Sequence, residues 1–71
     1  MILELERRKM LYKKFLELLV KNNKTTYQVA KDTHISNSTF SDWKSGRSTP
    51  KLDKLKIIAD YFDVPLTYFI E

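Results

Sequence analysis

The stretch that decides the fold is residues 36–46, SNSTFSDWKSG. Most of it is Ser, Thr, Asn, Asp or Gly, types that favour turns and helix caps over helix interiors. Yet Phe40 and the chain's single tryptophan, Trp43, stand three residues apart inside it. Read as a helix, the stretch becomes orderly. Ser36 is an N-cap candidate whose hydroxyl can accept from first-turn N–H groups. Ile35 before the cap and Phe40 in the first turns fit a hydrophobic staple. Gly46 is the expected left-handed stop, and Lys44 lies in the last turn, where a cation suits the helix dipole. The expected helix covers residues 37–45. At about 100° per residue, Phe40 and Trp43 share one face with Thr39, while Ser38, Ser41, Asp42 and Ser45 lie opposite. The aromatics anchor the helix, and the small polar residues are what it shows outward.

Upstream, TTYQVAKDTHIS opens with Thr25 and Gln28 in capping-box spacing, and Val29 and Ala30 begin a buried face. A short helix over about residues 26–33 is expected, ending near His34. Before it, residues 3–22 carry few helix breakers. Leu11, Phe15, Leu18 and Leu19 form one apolar stripe, with Asn22–Asn23 as the stop. Downstream, Thr49 reads as a cap and Pro50 as the first residue of a fourth helix. Leu52, Leu55, Ile58, Ala59 and Phe62 make a wide apolar stripe along it. Asp63 ends that helix, and Leu66, Phe69 and Ile70 form a last turn or two. The fold class is all-α, a compact five-helix bundle, with residues 1–9 as an N-terminal extension or early first helix and residues 10–71 as the domain.

Composition narrows the function. Seventy-one residues allow one domain, so nearly every large apolar side chain is needed inside. The absence of cysteine removes disulfides, thiolate catalysis and Cys-based zinc sites, and fits a cytoplasmic location. A single histidine, His34, offers no metal cluster and no paired nucleophile. No cofactor, metal or small-molecule ligand is expected, and no catalytic constellation argues for an enzyme. The start MILELERRK puts its apolar residues before its charges, unlike a signal peptide, and no apolar run approaches the ~18 residues a bilayer requires. A basic amphipathic first helix could lie on a membrane surface, but so small a domain needs that apolar face for its own core. A net charge of +4 biases the chain towards polyanions. From Lys44 to Lys56, five basic residues (Lys44, Arg47, Lys51, Lys54, Lys56) stand against Asp53 alone.

The second and third helices, joined by the short turn Thr33–Ser36, make a helix-turn-helix pattern. The chain here resembles the XRE-type helix-turn-helix domains of the lambdoid phage repressors and Cro proteins. The resemblance is carried by Thr25, Val29 and Ala30, then Ile35 and Ser36, then Phe40, Trp43 and Gly46, and downstream by Pro50, Leu52, Leu55, Ala59, Phe62 and Val64. It covers roughly residues 11–70. Three positions depart from it. His34 and Asp63 stand where glycine is usual, and Lys24 where an apolar residue is usual. The first nine residues have no counterpart.

The resemblance implies a lambda repressor-like DNA-binding domain with the 37–45 helix in the major groove of double-stranded DNA. Carried over by position, Asn37, Ser38, Ser41 and Asp42 face base edges. Thr26, Tyr27, Lys44, Ser45, Arg47, Ser48 and Lys51 meet phosphate. The implied activity is operator binding by a transcriptional regulator of repressor type, as a homodimer on two half-sites. Candidate dimer surfaces are Tyr68, Phe69 and Ile70 at one end and Ile2, Leu3 and Leu5 at the other. Asp42 also reads as a plain solvated charge, and the Lys44–Lys56 cluster as an ordinary soluble surface. The alternative function is a protein-interaction module of the same fold, such as the antitoxin of a toxin–antitoxin pair.

Overall fold

A computed structural model describes residues 4–70. Five helices follow one another: α1 (Glu4–Lys21), α2 (Thr26–Thr33), α3 (Asn37–Ser45), α4 (Leu52–Tyr61) and α5 (Thr67–Ile70). There is no strand among the described residues.

Phe15 on α1 is the hub of the core. It is fully buried, stacked on Phe40 at 5.2 Å and on Trp43 at 5.1 Å between ring centroids. Phe62 meets it edge-on at 6.3 Å, and Phe69 closes on Trp43 at 6.1 Å. One aromatic cluster therefore joins α1, α3, α5 and the end of α4. Deleting one such ring costs about 3–5 kcal/mol, comparable to the whole stability of a domain this size at roughly 0.05–0.15 kcal/mol per residue. The rings of Phe40 and Trp43 thus hold α3 to the core by contacts the fold needs to exist.

The helices end where local chemistry ends them. Thr25 caps α2 by accepting from the Gln28 N–H at 3.1 Å. Ser36 caps α3 by accepting from the Thr39 N–H at 3.3 Å. Gly46 takes the left-handed conformation at φ 81°, and the Arg47 N–H returns to the Asp42 carbonyl at 2.9 Å. The same backward bond closes α1 (Lys24 N–H to the Leu19 carbonyl, 2.9 Å) and α4 (Val64 N–H to the Ala59 carbonyl, 3.0 Å). Asn23 at φ 53° and Asp63 at φ 58° turn those two ends. His34 turns the end of α2 at φ 62°. Among the described residues, three of the four left-handed positions therefore lack glycine; Asn and Asp tolerate this conformation, whereas His34 is strained by its Cβ. Lys24, the other departure, lays its ammonium 5.8 Å from the centre of the Tyr61 ring.

Three expectations are corrected. Thr49 and Pro50 do not start α4; Lys51 is its N-cap, extended and without a side-chain cap bond. Pro50 is buried instead, so its ring is spent on packing, and the chain stays extended for one more residue. Leu52 is 58% exposed, because the first turn of α4 overhangs the core. Phe69 is wholly buried and offers no dimer surface. Its neighbour Tyr68 is half-buried and clamped to α1: the Lys14 ammonium donates to the Tyr68 carbonyl at 2.9 Å, and the Tyr68 hydroxyl donates to the Lys14 carbonyl at 3.4 Å. Ile2 and Leu3 lie outside the described residues, and of Leu5 only the helical backbone is described.

Candidate nucleic-acid interface

With Phe40 and Trp43 turned inward, α3 presents Asn37, Ser38 and Ser41 exposed and Asp42 half-buried. Two shallow clefts flank this face. The first, of about 400 Å³, runs between α3 and the start of α4, and Ser38, Asp42, Ser48, Thr49, Lys51 and Lys54 line it. The second, of about 230 Å³, lies on the other flank, bordered by Asn37, Ser41 and Lys44 of α3, Thr26 of α2 and Tyr12 of α1. The pairs Ser38/Asp42 and Asn37/Ser41 each sit four residues apart, so each pair edges one cleft.

The structure thus brings most of the expected contact residues into two groups. Thr26, Asn37, Ser41 and Lys44 gather on one flank, and Ser38, Asp42, Ser48 and Lys51 on the other. Tyr27 stands apart from both clefts at 68% exposure. Ser45 is exposed, but its hydroxyl serves the helix end. It donates to the Asp42 carbonyl at 3.0 Å and accepts from the Arg47 N–H at 3.4 Å.

Several of the outward groups already interact with one another. The Ser38 and Thr39 hydroxyls each lie 3.0 Å from the Ser36 hydroxyl, so the cap and one outward residue share a small hydroxyl cluster. The Asp42 carboxylate lies 3.7 Å from the Arg47 guanidinium. Its backbone carbonyl also accepts from the Arg47 and Ser48 N–H groups at 2.9 and 3.3 Å. Asp42 therefore organises the loop that follows α3 as well as facing outward. The N-terminus of α4 contributes its first-turn N–H groups, uncapped by the Lys51 side chain, beside the Lys51 and Lys54 ammonium groups.

The sequence alone assigns neither Tyr12 nor Lys54 to the interface. Lys54 was visible as part of a basic cluster, but its place on the cleft depends on where α4 starts. Tyr12 is joined to α3 only through tertiary packing, edge-on to Trp43 at 5.5 Å. Burial pushes its phenol above the ordinary tyrosine value. No group of three or more His, Cys, Asp or Glu side chains able to hold a metal occurs among the described residues. No described helix is long and apolar enough to cross a membrane.

A helix held by its apolar face, with a polar face between two basic-edged clefts, defines the helix-turn-helix class of nucleic-acid-binding domain. The family described as helix-turn-helix matches residues 16–69, and the chain belongs to that family, in its XRE-type branch. It is similar to an HTH-type transcriptional activator, BcrR, of Enterococcus faecalis, with 32% identity over 53 residues. That match takes in 75% of this chain and 26% of the relative, so the chain spans about a quarter of the relative's length. No solved structure matches it.

Proposed function

We propose that this chain binds double-stranded DNA as a transcriptional regulator, with α3 in the major groove. Asn37, Ser38, Ser41 and Asp42 approach base edges. Thr26, Tyr27, Lys44, Ser45, Arg47, Ser48 and Lys51 contact phosphate, within a binding unit of residues 10–71. The observation that carries the reading is the charge layout around α3. Its outward face holds short uncharged groups and one carboxylate, while Lys44 edges one flanking cleft and Lys51 and Lys54 the other. A groove-reading helix needs its cations at the flanks, where the two phosphate strands run.

The chemistry of the face sets its selectivity. Asn37 can pair bidentately with adenine, and Asp42 can accept from cytosine N4. No arginine lies on α3 to fork onto guanine. Intrinsic specificity is therefore modest, supplemented by water and DNA shape. Binding as a homodimer to two half-sites of an operator would double the footprint. Repression by occupying DNA requires only the binding itself. The Enterococcus relative is an activator by name, so the sign of regulation is a separate measurement.

Selection of bound sequences from random duplex DNA tests the reading, run beside sedimentation for oligomeric state. Wild-type protein should return a broad preference, and the double change Ser38→Ala, Asp42→Ala should alter that preference more than total affinity. A sharp guanine-rich half-site selected by a monomer would contradict it. A second reading, a protein-interaction module such as an antitoxin, draws on the exposed Leu16 and Val20 of α1. Selection that returns no DNA at all would favour it.

A further inference from the structure

Among the described residues, Tyr12 is the one α1 residue lining the cleft beside Asn37, Ser41 and Lys44. Its ring is held by the core, edge-on to Trp43 and tilted against Phe15 at 5.9 Å. Its hydroxyl has no hydrogen-bond partner among the described residues. A phenol with a packed ring and an unmatched hydroxyl at a cleft edge is set up for an acceptor from outside. With its pKa raised by burial, the phenol keeps its proton at neutral pH and is available as a donor. Among the described residues no acidic side chain lines this cleft, while the exposed Lys44 stands on its wall and the Thr26 hydroxyl borders it. The environment thus favours an anionic acceptor. Tyr12 also precedes the segment matched by the family, residues 16–69, so the match gives it no role.

We propose that the Tyr12 hydroxyl donates to a DNA phosphate oxygen seated at this cleft beside the Lys44 ammonium, so that α1 carries part of the DNA footprint. The proposal rests on the DNA-binding reading above. The two donors differ in what they do. Lys44 neutralises the phosphate and releases a counterion, whereas the neutral phenol adds a hydrogen bond and fixes register without changing salt dependence.

The test compares Tyr12→Phe, which keeps the ring packing, with Lys44→Ala, each checked for folding by thermal melting. Tyr12→Phe should weaken binding about tenfold, the lower range for a hydrogen bond to a charged group, equally for selected and unrelated duplexes and with an unchanged salt slope. Lys44→Ala should reduce that slope by about 0.9. Scanning single methylphosphonates along the duplex should find one position whose penalty is smaller for Tyr12→Phe than for wild type, the remainder being the loss of the Lys44 contact. If Tyr12→Phe binds like wild type while wild type binds DNA and Lys44→Ala flattens the slope, the Tyr12 contact is overturned and the DNA-binding reading stands. If wild type binds no duplex DNA, both fall.

Discussion

The Asp42 carboxylate and the Arg47 guanidinium face each other at 3.7 Å across the left-handed turn at Gly46. One residue belongs to the outward face of α3 and the other to the loop that follows it, so the pair couples the two halves of the proposed interface. Its contribution to stability is small. The Arg47 side chain is 78% exposed and that of Asp42 38% exposed, and solvent-exposed pairs are worth about 0–1 kcal/mol. Its importance lies in binding, where a carboxylate close to phosphate opposes association and shares the cation meant for it.

Asp42→Asn therefore should bind unrelated duplex DNA more tightly, by roughly threefold, since about 0.7 kcal/mol of repulsion is removed. Discrimination between selected and unrelated sequences should fall. Titration of both duplexes at one salt concentration checks this. Weaker binding to both would show that the carboxylate acts chiefly by holding the loop in place.

The ends of α2 and α3 predict opposite changes in stability. Ser36→Ala removes the bond to the Thr39 N–H and should cost about 1 kcal/mol, lowering Tm by about 4–8 °C in a domain of this size. His34→Gly relieves a side chain held at φ 62°. The relief of roughly 1–2 kcal/mol exceeds the added unfolded-state freedom of glycine, about 0.5–1 kcal/mol, so Tm should rise by a few degrees. Thermal melts of both variants decide the matter, and a lower Tm for His34→Gly would contradict the strain at this turn.

Three phenols titrate above the ordinary tyrosine value in the folded chain. Tyr61 does so through its hydrogen bond to Asp32 at 2.5 Å, then burial and the Asp32 charge; Tyr68 through burial, then Glu17; and Tyr12 through burial. A folded pKa above the unfolded one means that the contribution is fully present below about pH 10 and is lost as pH rises through the folded value. Melts between pH 8 and pH 11 should show Tm falling only in the alkaline part of that range, and Tyr61→Phe should make the fall shallower. An equal fall in Tyr61→Phe would remove Tyr61 as a source.

The sequence carried α3 with its bounds because every signal for it is local: a cap at Ser36, a staple from Ile35 to Phe40 and a stop at Gly46. The positive φ at His34 was legible only through the resemblance, which has glycine at that position, and not from a local signal. The start of α4 was misplaced because Pro50 suits a first helical turn and a packed extended segment equally well, and the choice is made by the core. Tyr12 and the hydroxyl cluster around Ser36 escaped because they depend on which helix crosses α3 and on how side chains turn, neither of which periodicity encodes. Of the site, the residue types on the outward face were readable from a wheel; their pairing with Arg47 and with Ser36 was not.

The most direct test of DNA recognition by α3 and its flanks is the affinity of wild-type protein for duplex DNA as salt is raised from about 50 to 200 mM. A logarithmic plot should fall steeply. The Arg47→Ala, Lys51→Ala double change should flatten its slope by about 1.8, or 0.9 for each phosphate that no longer meets a cation. A wild-type slope near zero, or a double variant indistinguishable from wild type, would contradict the assignment of this face to DNA.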